Sequence, residues 1–97
     1  MLLRWTTLLE TNTAGFHLYR LPVGSNDKAV RINPALILTK GAQGGNYTYL
    51  DQTVSPGAAY TYWLVKEAPD GSTEAYGSVI VDMQAVNARI YLPFVMH

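Results

Sequence analysis

Ala59-Tyr60-Thr61-Tyr62-Trp63-Leu64-Val65-Lys66-Glu67, closed by Pro69-Asp70-Gly71-Ser72, is the stretch that decides the fold. Side chains of a strand point alternately to two faces. Tyr60, Tyr62 and Leu64 therefore share one face, and Thr61, Trp63 and Val65 the other. Asp-Gly after such a run reads as a hairpin turn, and Thr73 to Val81 as the returning strand. The same alternation extends outward. Tyr47 to Leu50 is a strand that leads into a corner over residues 51–57. Phe16, Leu18 and Arg20 alternate with His17, Tyr19 and Leu21. Leu3, Trp5 and Thr7 alternate with Arg4 and Thr6. Ala29 to Ile32 is a short strand stopped by Asn33-Pro34, and Leu36-Ile37-Leu38 extends it or begins a small extra one. No window of about 12 residues holds a helical period, and turn signals recur at roughly 8–12-residue spacing. The pattern predicts an all-β antiparallel sandwich.

The chain has 97 residues, one domain's worth, with seven basic and seven acidic residues and zero formal net charge. That balance argues against nucleic-acid binding, which draws its affinity from phosphate neutralisation. Charged residues make up only 14% of the chain, so the surface is weakly defended against self-association. Cysteine is absent, which excludes disulfides, thiolate metal sites and cysteine nucleophiles. No apolar run approaches the ~20 residues of a membrane-spanning helix. Met1 to Trp5 is too short and too soon interrupted by Arg4 for a secretory signal.

Catalytic and cofactor patterns are missing. Ser25, Ser55, Ser72 and Ser78 lack a His–Asp arrangement. The Gly-rich run Gly41-Ala42-Gln43-Gly44-Gly45 lacks the Lys-Ser/Thr and the helix of a phosphate loop, and reads as a flexible connection. His17 and His97 are the only histidines, too few to suggest a metal centre. Asp27, Asp51, Asp70 and Glu74 sit at turns or strand ends, where carboxylates shape the backbone. Asn46-Tyr47-Thr48 fits a glycosylation sequon, a triplet common by chance. The expectation is a protein that is not an enzyme and needs no cofactor or metal. Trp63 and Val65, with Tyr19 and His17 beside them on the neighbouring strand, form a candidate exposed contact patch for a sugar ring or a neighbouring subunit. The alternative is a loop of the same chain covering it.

Val54-Ser55-Pro56-Gly57-Ala58-Ala59-Tyr60-Thr61-Tyr62 resembles the fibronectin type III pattern, in which a Pro-Gly corner and a Tyr lead into the sixth strand. Leu3-Arg4-Trp5 resembles that family's second strand, and Gly15 to Arg20 its third. Tyr47 to Asp51 resembles the fifth, and Pro69 to Ser72 the last hairpin. The likeness is to the divergent versions in large secreted bacterial surface proteins, and it covers about residues 2–81. It implies a seven-stranded immunoglobulin-like sandwich, an extracellular or cell-surface location, and binding, spacing or structural roles. It makes Pro56, Gly57 and Tyr60 a structural corner, with the Tyr60 hydroxyl tying down the backbone.

The family has a strand ahead of the one carrying its Trp, and here that first strand is missing. Its absence leaves an open acceptor groove beside Leu3 and Trp5. Beyond a linker over residues 82–87, residues 88–97 alternate again, placing Ile90, Leu92 and Phe94 on one face. These three make a candidate donor strand for the groove of another copy. Head-to-tail donation of this kind gives a filament, a pilus-like homopolymer. Filling the groove within one chain requires the tail to double back parallel to residues 2–8, whereas the family pairs antiparallel there. The other reading is an accessory carbohydrate- or protein-binding module at the C-terminus of a larger secreted protein. Tyr91-Leu92-Pro93-Phe94-Val95 resembles the Tyr-Leu-Pro endings of such proteins.

Overall fold

The computed structural model describes residues 1–55, 58–82, 87–89 and 95–96. Ten strands follow one another: β1 Leu2–Thr7, β2 Leu9–Glu10, β3 Gly15–Pro22, β4 Val30–Arg31, β5 Ile37–Leu38, β6 Gly45–Leu50, β7 Ala59–Glu67, β8 Thr73–Asp82, β9 Asn87–Arg89 and β10 Val95–Met96. There is no helix among the described residues. The large sheet runs β4-β3-β7-β8, with β5 also on β3, and all its pairs are antiparallel. A second sheet runs β6-β1-β9, and β2 pairs with β10 alone. The architecture is all-β and sandwich-like.

The core forms where the inward residues of the two main sheets meet. Leu3, Trp5 and Tyr47 come from one side, and Phe16, Leu18, Tyr60, Tyr62 and Leu64 from the other. Trp5 and Tyr47 are cross-strand partners and stack with ring centroids 5.2 Å apart and planes 4° from parallel. Phe16 meets both edge-on, at 6.0 Å from Trp5 and 5.1 Å from Tyr47. Such offset and edge geometries suit the ring quadrupoles and add about 0.5–1.5 kcal/mol per pair beyond area burial. On β7 the alternation is strict: Tyr60, Tyr62, Leu64 and Lys66 are buried, and the residues between them are half-buried.

The hairpin between β7 and β8 forms as the sequence predicts, but its turn type and the Gly-rich run differ from that reading, and the choice left open for Leu36 to Leu38 is settled, each for a local reason. The turn closes on Ala68 and Gly71, which makes Pro69 its first central residue, and Pro, with φ near −65°, cannot take that place in a primed turn. The loop is instead an ordinary turn, with Gly71 N–H donating to the Ala68 carbonyl at 2.9 Å. Gly71 then takes the left-handed conformation at φ 87°. The Gly-rich run is an ordered turn. Gly44 N–H donates to the Gly41 carbonyl at 3.0 Å, and Glu10 N–H to the Ala42 carbonyl at 3.0 Å. Leu36 to Leu38 does not extend the previous strand, because Pro34 interrupts it; Ile37–Leu38 pairs separately with Gly15 and Phe16.

The tail is the largest difference. Leu3 and Trp5 are fully buried, and the backbone edge beside Leu3 is not open. Asn87, Ala88 and Arg89 of the same chain lie parallel to Leu2, Leu3 and Arg4, and Val95 and Met96 lie parallel to Leu9 and Glu10. An unpaired strand edge is costly to leave unsatisfied, and here the chain supplies its own partner in the orientation that doubling back demands. β8 runs to Asp82 and β9 starts at Asn87, so both ends of the expected linker belong to strands. Ile90, Leu92 and Phe94, like Pro56 and Gly57, lie outside the described residues.

Candidate functional site

The outer face of the large sheet carries the candidate site. Register places Arg31 of β4, Tyr19 of β3 and Trp63 of β7 in one row across the sheet. The next row pairs His17 with Val65, and Val65 in turn faces Ala75 of β8. Between Trp63 and Leu64 the β7–β8 register shifts: Trp63 faces Ser78 but Leu64 faces Tyr76, leaving Gly77 without a counterpart. This bulge bends β8 locally, and a Gly inside a strand pattern is its sequence signal. A depression of about 260 Å³ opens on this face, lined by Tyr19, Ala29, Trp63, Val65, Thr73 and Ala75.

Three members of the expected patch, Tyr19, Trp63 and Val65, thus share one depression. The fourth, His17, does not. Its alternation places it outside, but it is only 6% exposed. Asn33, in the segment between β4 and β5, lies against it, with Asn33 Nδ2 3.1 Å from His17 Nδ1. Asn33 is itself pinned: Oδ1 accepts from Leu18 N–H at 2.8 Å, and Nδ2 donates to the Ala35 carbonyl at 2.9 Å. Because the Asn33 amide nitrogen can only donate, His17 Nδ1 accepts, and the ring proton sits on Nε2. From there it faces Glu67 Oε1 at 3.0 Å. His17 is therefore a structural residue that anchors the crossing of residues 33–35 over β3. The outer face is covered at this end and open at the Trp63 end.

Two further polar clusters are buried, and both hold elements together. Asp51, 1% exposed, accepts from Arg20 Nη1 at 2.8 Å, the Tyr62 hydroxyl at 2.8 Å and the Thr53 N–H and hydroxyl at 3.0 and 2.7 Å. Burial pushes the Asp51 carboxyl up, but the bonds from Thr53, Arg20 and Tyr62 together outweigh it and hold it below its ordinary range. The same arrangement raises the Tyr62 phenol, through burial first and then the Asp51 contact. Arg20 also lies over the Tyr60 ring, 4.7 Å from its centroid.

Glu10, 3% exposed, accepts from the Tyr47 hydroxyl at 2.8 and 2.7 Å, from Thr39 Oγ1 at 2.6 Å and from the Thr7 hydroxyl. Burial and the Glu10 contact push the Tyr47 phenol up to about 12. The carboxylates of both clusters accept from several donors of their own domain and so join its elements. Sequence reasoning missed both, because their members lie far apart in the chain.

Tyr60 is buried, and its hydroxyl accepts from Ser55 N–H at 3.1 Å. The Ser55 side chain first, and then this backbone bond, hold its phenol below the ordinary value. Among the described residues no group of acidic or histidine side chains is arranged to hold a metal ion, and no helix is long and apolar enough to cross a membrane. Comparison with protein-family models, with curated proteins and with solved structures finds no match.

Proposed function

We propose that this domain is a non-catalytic accessory module of an extracellular or cell-surface protein, binding carbohydrate or protein through the depression around Trp63. One observation carries the reading. Tyr19, Trp63 and Val65 gather on an outer sheet face that is open where the core-facing side is closed. Large aromatic side chains held on a rigid sheet and reachable from solvent are typical contact groups. The resemblance to fibronectin type III domains of secreted proteins supports the location and the absence of catalysis. Retention of the wild-type domain on immobilised surface polysaccharide and surface protein fractions tests it. Trp63→Ser is expected to abolish retention while thermal unfolding stays nearly unchanged. Equal retention of wild type and variant sinks the reading.

A second reading is favoured by the tail. The parallel ladders of β9 on β1 and of β10 on β2 involve five residue pairs in all among the described residues, and the tail of another copy carries the same backbone groups to make them. Exchange of an identical element between copies is a low-cost route to assembly. In this reading the chain is a structural subunit that assembles head-to-tail by strand exchange, with Ile90, Leu92 and Phe94 as the donor side chains. Because the tail pairs within its own chain, polymerisation then requires release from the internal groove. That predicts slow, concentration-dependent growth of polymers, seen by electron microscopy, from an initially monomeric preparation. Dispersed single particles at every concentration rule it out.

A further inference from the structure

We infer that the Trp63 depression is a subsite for one neutral sugar ring of a glycan, an assignment that rests on the binding-module reading above. Its lining holds a cross-strand aromatic pair, Tyr19 opposite Trp63, together with the apolar Val65, Ala29 and Ala75 and with Thr73. The ligand that suits such a lining is flat and apolar on one face and polar around its edge. A pyranose ring has that form, with axial C–H groups to lay on the indole and hydroxyls to reach outward. The polar edge has candidate partners: Tyr19 and Thr73 are both lining residues that carry a hydroxyl, and neither hydroxyl bonds to another described residue.

Charge and size narrow the class. Among the described residues no Asp, Glu, Lys, Arg or His lines the depression, so a carboxylate or phosphate meets no charged partner from them. Arg31 stands opposite Tyr19 on β4 but is not part of the lining. A stable protein partner needs about 20–30 residues on each side. Six described residues line this depression, and the crossing at residues 33–35 over His17 covers the sheet face beside Val65. At about 260 Å³ it sits just below the ~300 Å³ at which pockets for larger ligands begin. One ring fits; an extended peptide does not.

The test titrates the full chain with methyl β-glucopyranoside, methyl β-galactopyranoside, N-acetylglucosamine and glucuronate, and follows the two indole N–H resonances by NMR. A neutral pyranoside is expected to move the Trp63 signal saturably and leave the buried Trp5 signal in place. For the variants, which lose or alter that signal, isothermal titration calorimetry with the same pyranoside reads the affinity, and Trp63→Ala should weaken binding several-fold to about tenfold, as the loss of one aromatic stack implies. Trp63→Tyr should keep most of it, and Tyr19→Phe should weaken it several-fold. An unmoved Trp5 resonance in each variant certifies the fold. Saturation by glucuronate alone, or by none of the four, overturns the assignment. Should the sugars fail while Trp63-dependent retention on a surface protein fraction persists, the sugar assignment falls and the module reading stands. Should both fail, both fall.

Discussion

Asp51 ties three segments of the domain together. Its carboxylate joins β3 through Arg20, β7 through Tyr62 and the chain after β6 through Thr53. Removing one partner of a buried ion pair leaves the other charge unmatched and costs about 3–5 kcal/mol. Asp51→Asn keeps some of these bonds, so the expected loss is near the lower end, about 3 kcal/mol, read from urea unfolding. A loss under about 1 kcal/mol contradicts the assigned role. The depressed carboxyl also sets an acid limit. A group whose native pKa lies below its unfolded value stabilises the fold above that unfolded value, and the contribution fades as pH falls through the native one. For Asp51 the unfolded value is near 3.8. The urea midpoint is therefore expected to fall below about pH 4, and Asp51→Asn to flatten that slope. At the same scale, Trp63→Ser is expected to change stability by less than about 1 kcal/mol. Trp63 lies on the half-buried outer side of β7, and its effect belongs to binding.

Turns and strand registers show the element scale. Gly44 lies at φ 80°, and a Cβ there would come within 2.3 Å of the Thr7 carbonyl oxygen. Gly24 lies at φ 84° with nothing near it. Ala at Gly24 meets only the left-handed conformation, a cost of about 1 kcal/mol. Ala at Gly44 must also push backbone apart beside β1, and a cost at least twice as large, about 2–4 kcal/mol, is expected. Comparing thermal unfolding of Gly44→Ala and Gly24→Ala checks the order. Equal losses contradict the close approach. The alternation of β1, β3, β6 and β7 was legible in the chain, since period two is a property of each strand alone. The bulge at Gly77 was signalled only by a Gly inside a strand. β2 was not signalled at all: two residues, Leu9 and Glu10, carry no period, and their strand exists because β10 lies beside them.

For the whole molecule, the tail decides between a self-contained module and an assembling subunit. Deleting residues 87–97 removes the parallel partner of Leu2 to Arg4 and of Leu9 and Glu10. The truncated chain is expected to unfold at lower urea and to expose the β1 edge. Sedimentation of full-length and truncated chains across a wide concentration range separates the two readings. Polymers that need the tail support strand exchange. A full-length chain that stays monomeric throughout, with only its stability dependent on the tail, leaves the accessory module alone. Part of this was legible in the sequence. The alternation of residues 88–97 and the exposed side of Trp5's strand point to a pairing, but not to its direction or to whose tail makes it.

By itself the sequence determined the all-β class, the inward set Leu3, Trp5, Phe16, Leu18, Tyr60, Tyr62 and Leu64, and the outward placement of Tyr19, Trp63 and Val65. Each follows from local alternation and from turn residues that any strand pair obeys. Tertiary structure alone decided that Asn33 covers His17, that Glu10 meets Tyr47, that Asp51 joins three elements, and that the tail lies parallel to β1. Those outcomes depend on which distant segments meet, and alternation within one strand holds no information about its neighbours across the sheet.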